Sequence, residues 1–124
     1  MADLTSIEKV KLEKMFGMDR GNVLDFSNRT FQEFIAENTG LDIYTSKYDN
    51  ASNSKANRFR AFWKIESNYI VGNLTALMLE HWRTCKITNM VEMQVAEQIL
   101  FDECIKICQR LKSDTIVEPT KIEE

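Results

Sequence analysis

Turn-forming residues are scarce in this chain, and that scarcity constrains its fold more than any motif. Gly17, Gly21, Gly40, Gly72 and the lone Pro119 are the only glycines and proline in 124 residues. A β-sandwich needs a turn signal roughly every 8–12 residues, so this class is excluded at the outset. What recurs instead is a helix start: a short polar cap followed by apolar residues at intervals of three and four. Thr5 and Glu8 have capping-box spacing ahead of Ile7, Val10, Leu12 and Met15. With Gly17 as a stop, they predict a helix over 6–16. Ser27, with Phe26 before it and Phe31 after it, predicts a second helix over 28–39, ended by Gly40. Ser54 predicts a third over 55–65, with Ala56, Phe59, Phe62 and Trp63 facing inward. Ser67 predicts a fourth over 68–84, along Ile70, Val71, Leu74, Leu77 and Met78. Asn89 and Glu92 repeat the capping-box spacing and predict a fifth over 89–112, carrying Val91, Val95, Ile99, Leu100, Cys104, Ile107, Cys108 and Leu111.

The expected fold is therefore an all-α, compact domain of about five helices, orthogonal or bundle-like, spanning 1–112. Residues 113–124 read as a polar tail or linker. Gly72 lies inside the fourth helix, where glycine costs about 1 kcal/mol against alanine. It marks a place where another helix comes close. Phe31, Phe34, Phe59, Phe62 and Trp63 are expected to share one core. A chain of this length buries roughly two-thirds of its unfolded surface and needs no staple. The three cysteines, Cys85, Cys104 and Cys108, are an odd number and read as reduced structural thiols. The N-terminus lacks the apolar run of a signal peptide. No segment approaches the roughly 20 apolar residues of a spanning helix. The cytoplasm is the expected compartment.

Charge is segregated. The whole chain carries a net charge of −3, which argues against a polycation built for nucleic acid. Residues 47–65 nevertheless hold Lys47, Lys55, Arg58, Arg60 and Lys64 against Asp49 alone. Tyr44, Tyr48, Phe59, Phe62 and Trp63 are interleaved with them. Basic residues among aromatics can grip nucleic acid or phosphate; they can equally be core aromatics flanked by cations that pair with acids elsewhere. Arg29, Lys55 and Arg58 are the candidate contacts for an anion or an acidic partner. Arg58 shares a helix face with Lys55, whereas Arg60 lies roughly 200° around from Arg58 and is expected to form an internal salt bridge. Arg29 falls in the first turn of its helix, where the dipole disfavours a cation, so a carboxylate or an anion should compensate it.

Catalytic signals are absent. A nucleophile needs a base in reach, most often histidine, and the only histidine is His81. Helical RNases of the HEPN type place an Arg a few residues before a His, whereas the nearest upstream Arg here is Arg60. Neither G-x-x-x-x-G-K-[ST] nor H-E-x-x-H is present. No catalytic residue, cofactor or metal site is expected, since one histidine is a poor start for a metal.

The segment VLDFSNRTFQEFI (23–35), followed by GLDIYTSKYDNASNSKANRFRAFWKIESNYIVGNL (40–74), resembles the AbiJ-type N-terminal domain of bacterial abortive-infection proteins. That module tends to read F-S-x-R-T-F-x-x-F, then I-Y, then S-K-A-x-R-[LF]-R-x-F-W. The matching positions are Phe26, Ser27, Arg29, Thr30, Phe31 and Phe34; Ile43 and Tyr44; and Ser54, Lys55, Ala56, Arg58, Phe59, Arg60, Phe62 and Trp63. Many members place a glycine in the loop before S-K-A, where this chain has Ala51, Ser52 and Asn53. The resemblance implies a non-enzymatic sensor or adaptor in anti-phage defence, set ahead of varied effector domains. The charge island supports an alternative: a nucleic-acid or nucleotide-binding module built on residues 47–64. Partners open to such a module are an effector domain or protein partner of a defence system, a nucleic acid or phage component, and a second copy of the chain. No membrane partner is expected.

Overall fold

Four hydroxyl side chains start four helices, and they are those the sequence points to. In the computed structural model, which describes residues 2–122 and side chains as far as residue 113, α1 spans Ser6–Met15, α2 Asn28–Thr39, α3 Lys55–Ile65, α4 Asn68–Thr88 and α5 Val95–Ile122. Short 3-10 turns lie at Met18–Arg20 and Ser46–Tyr48, and the described residues contain no strand. The fold is all-α. Thr5 Oγ1 accepts the Glu8 N–H at 3.1 Å, while the Thr5 N–H donates to the Glu8 carboxylate at 2.9 Å. Ser27 and Thr30 make the same reciprocal pair. Ser54 accepts from Asn57, and Ser67 from Ile70. Each cap satisfies a backbone donor that the first helical turn leaves unpaired.

The fifth helix departs from expectation. Asn89 does not start α5; it closes α4, donating its N–H to Cys85 O at 3.0 Å. The helix begins at Val95, where the Gln94 N–H donates to Glu97 Oε1 at 3.0 Å. The signal was Gln94-x-x-Glu97 rather than Asn89-x-x-Glu92. At its far end the α5 backbone is helical to Ile122. The polar tail or linker expected over 113–124 falls almost wholly outside the described side chains.

Antiparallel pairing of α4 and α5 forms the largest helix–helix contact. Gly72 faces Leu111, Trp82 stacks on Phe101 at 5.7 Å, and Lys86 bonds Glu97 at 2.9 Å. α1 runs antiparallel to α5 on another side, with Lys11 on Glu103 and Arg110 on Glu8. Phe101, Cys104, Ile107, Cys108 and Leu111 face the core. That single stripe is all that α4 and α1 can cover, so Val95 and Ile99 stay exposed despite their apolar spacing, and Val91, in the turn before α5, is exposed as well. Ile7 and Val10 on α1 are exposed for the same reason: only Leu12 and Met15 reach the core from that helix.

α3 supplies the centre. Phe59 packs against Phe16, Phe31, Phe62 and Trp63, with ring centroids 5.1–6.2 Å apart. Phe34 is only half-buried and packs outward against Phe26 and His81. Burial pushes the Cys104 and Cys108 thiols up to about 12, so both remain protonated at neutral pH.

The close approach at Gly72 sets the α4–α5 spacing. A Cβ there would lie 2.9 Å from Leu111 Cβ and 3.1 Å from the Cys108 carbonyl oxygen. Neither atom is the free end of a side chain, so the helices themselves would have to part. Overpacking of this kind costs about 1–3 kcal/mol, against a helix-propensity gain of about 1 kcal/mol. Gly72→Ala should therefore destabilise the chain by up to about 2 kcal/mol in a urea titration; a raised midpoint would mean that α4 and α5 are not in this contact.

Candidate functional site

Within the basic segment, Arg58 is the surprise. It is 9% exposed, the most buried charged side chain in that segment. Its Nη1 donates to the carbonyl oxygens of Ile43 at 3.2 Å and Thr45 at 3.1 Å, and its Nη2 to Asp49 at 3.1 Å. The guanidinium carbon sits 5.0 Å from the centroid of the Tyr44 ring. Arg58 thus pins the loop between α2 and α3. Placing it beside Lys55 on an exposed contact face is corrected: the loop folds back over that side of α3 and buries it. Arg60 Nε donates to Glu13 at 2.8 Å, joining α3 to α1, and both partners are half-buried. Arg29 stays exposed and is compensated within its own helix by Glu33, 3.6 Å away. Lys55 Nζ reaches Asn28 Oδ1 at 3.3 Å, an atom that also accepts from Tyr44 Oη at 3.0 Å. Lys55 thus reaches Asn28, the residue before Arg29, across the α2 and α3 starts, and Arg58 takes no part.

The same loop is tied a second time, between the Thr45 and Asp49 contacts of Arg58. Tyr48 is buried and donates its hydroxyl to Glu66, which Lys47 also meets at 2.8 Å. Burial pushes the Glu66 carboxyl up, but the hydrogen bonds from Lys47 and Tyr48 outweigh it and hold it below its ordinary range. Ala51 and Asn53 have φ of +52° and +58°, the left-handed region that glycine enters freely. The loop thus takes a glycine-type backbone at an alanine and an asparagine.

A second constellation lies in a cleft of about 450 Å³ between the α1 end, the 17–25 segment and the α4–α5 turn. The 17–25 segment is firmly seated: Gly21 O accepts the Ala56 N–H at 3.0 Å, and the Leu24 N–H donates to Phe16 O at 2.7 Å. Val23 and Phe26 are buried on either side of Asp25. Asp25 is thereby held at the cleft edge, opposite His81 and Cys85 of α4. Its Oδ1 lies 3.5 Å from His81 Nε2, and Cys85 Sγ lies 3.6 Å from that same nitrogen. Phe26 stacks on the imidazole at 4.8 Å with 15° between planes, and Phe34 abuts it at 5.6 Å. Burial, then the nearby Asp25 charge, raises the Cys85 thiol above its ordinary pKa.

This arrangement is not a nucleophile–base–acid relay. A relay engages the two imidazole nitrogens separately, one with the nucleophile and one with the carboxylate; here both partners approach Nε2. Among the described residues, Asp25, His81 and Cys85 form the one group of three donors able to face a common metal ion, all within 4.8 Å of one another. His81 stands alone as a histidine and so does not announce a metal site in the sequence. The available signal was Cys85 four residues on, one helical turn along the same face. Asp25 could not be foreseen, being 56 residues away.

Comparisons with known proteins add little. No protein-family model matches the chain, and no solved structure matches it. A Caenorhabditis elegans protein, nuclear hormone receptor family member nhr-42, is 27% identical over 95 residues, covering 74% of this chain. The chain spans about a quarter of that receptor's length, 27%. Identity at this level assigns neither family nor function. No helix among the described residues is long and apolar enough to cross a membrane.

The two readings of the basic segment separate by mutation. Arg58→Ala leaves buried carbonyls without their charged donor and should cost about 2–4 kcal/mol, since hydrogen bonds to charged groups are the strong ones. Lys55→Ala should stay within about 0.5 kcal/mol, as expected of a surface change. Equal, small losses in denaturant titrations of both variants would return Arg58 to the surface.

Proposed function

We propose that this chain is a non-enzymatic sensor or adaptor module of a bacterial anti-phage defence protein, acting through a protein–protein contact. The observation that carries the reading is the apolar end of the α4–α5 hairpin. Met90 is 92% exposed and Val95 78%, and Ile87, Val91 and Ile99 are exposed beside them in sequence. Soluble domains seldom leave such a run bare, and exposed apolar patches mark interaction surfaces. The partner that fits it is the effector portion or a protein component of the defence system, meeting the patch with apolar side chains. The AbiJ-type resemblance supplies the biological setting. Its motif residues support a scaffold role: Ser27 and Ser54 cap helices, Phe31, Phe59, Phe62 and Trp63 fill the core, and Arg58 anchors the loop.

The nucleic-acid alternative loses its main support. Of the five cations between residues 47 and 65, Lys47, Arg58 and Arg60 each face a carboxylate within 3.1 Å. A strand of phosphates would meet chiefly Lys55, Lys64 and Arg29.

A phage challenge tests the proposal in cells carrying the natural protein that contains this chain. Wild type should lower plating efficiency for at least one phage of a diverse panel. Met90→Lys combined with Val95→Lys, both at exposed positions, should keep native helicity and melting yet restore plaques to the level of cells lacking the gene. Unchanged protection by the folded double variant, or no protection by wild type against any phage, would overturn the reading.

A further inference from the structure

We propose that Asp25, His81 and Cys85 bind a zinc-class divalent metal ion, with its fourth coordination position open to the cleft. The inference does not depend on the adaptor reading; it stands on the spacing of three donor atoms. Zinc binds thiolate sulfur at about 2.3 Å, imidazole nitrogen at about 2.0–2.1 Å and carboxylate oxygen at about 2.0–2.2 Å. At tetrahedral angles those bonds put sulfur and nitrogen about 3.5 Å apart, and nitrogen and oxygen about 3.4 Å apart. The observed separations are 3.6 Å from Cys85 Sγ to His81 Nε2 and 3.5 Å from Asp25 Oδ1 to His81 Nε2. The second is too long for a charge-assisted hydrogen bond, which closes to about 2.7–2.9 Å. Both match edges of a ligand tetrahedron around a zinc-class ion, and all three donor atoms lie within 4.8 Å of one another.

The supporting structure is of the kind a metal site needs. His81 and Cys85 lie one turn apart on α4, so a single rigid helix sets their spacing. Stacking on Phe26 fixes the plane of the imidazole and therefore the direction of Nε2. Asp25 is carried by a segment hydrogen-bonded to α3 and α1 on either side, yet its side chain is 75% exposed and free to rotate onto an ion. Softness selects the metal: thiolate with imidazole and one carboxylate suits zinc, whereas magnesium and calcium prefer oxygen alone. On binding, Cys85 forms a sulfur–metal bond and releases its thiol proton to solvent through the cleft. Three protein donors leave one position for water or a ligand entering from the cavity.

The reduced, metal-free chain titrated with Co²⁺ and then Zn²⁺ tests this. One cobalt per chain should bind, with a near-ultraviolet thiolate-to-cobalt band and the intense visible bands of four-coordinate cobalt; one equivalent of zinc should abolish both. Cys85→Ser should remove the thiolate band, and Cys85→Ser and Asp25→Ala should each weaken zinc binding by at least about tenfold. Asp25→Ala changes an exposed side chain, so its fold is not at stake, and circular dichroism checks the serine variant. Absence of the thiolate band in wild type, or zinc affinities of both folded variants within about twofold of wild type, would overturn the site.

Discussion

A buried guanidinium holds the middle of this structure together. The loop between α2 and α3 is long, lacks regular structure apart from the 3-10 turn at Ser46–Tyr48, and lies across the face of the central helix. Loop backbone buried this way must find partners for its carbonyl groups. Arg58 provides them for Ile43 and Thr45 while also meeting the Asp49 carboxylate and the Tyr44 ring. Lysine could not do this: an ammonium is a compact point charge, whereas the guanidinium fork reaches several acceptors at once. Tyr48 and Lys47 then fasten the middle of the loop to Glu66, at the junction of α3 and α4. With the loop in place, Ile43 and Tyr48 are sealed into the core around Phe62.

That anchoring changes what the charge pattern means. A basic segment in an acidic chain suggests a polyanion partner, yet most of its cations are turned inward to acids contributed by other elements. Glu13 of α1, Asp49 of the loop and Glu66 after α3 neutralise the segment locally. The net charge of the segment is thus a feature of assembly. The surfaces proposed for interaction lie elsewhere: the apolar tip of the α4–α5 hairpin and the donor-lined cleft beside it. Both lie at the end of α4 that Gly72 does not occupy. The tight contact there lets α4 and α5 run close along their length and present that tip on a rigid pair of helices.

Much of this was legible in the residues. Thr5, Ser27, Ser54 and Ser67 announce their helices because capping is local chemistry, decided within four residues. Gly72 announces a close contact because glycine inside a helix has a cost that packing must offset. The misses share a different cause. Periodicity places Arg58 and Arg60 on different sides of α3, but it does not say which side another segment will cover; that depends on where residues 41–53 return. Asn89 and Gln94 both precede a glutamate by three residues, and only the packing of α4 decided which of them starts α5. The apolar residues Ile7, Val10, Val95 and Ile99 keep helical spacing yet face outward, since each helix has a single neighbour-covered stripe. The donor set around His81 joins positions 25 and 81, a proximity that no local pattern encodes.

Hydrogen exchange of the backbone amides, read by mass spectrometry on the native chain and on Arg58→Lys, tests the anchoring most directly. Local opening exposes amides whose structure depends on the lost interaction while leaving independent units protected. Exchange should quicken across residues 41–53, including the amides of Thr45, Tyr48 and Asn53 that close its turns, with α4 and α5 unchanged. Exchange in that loop identical to the native chain would contradict it, because the loop would then hold its place without the guanidinium.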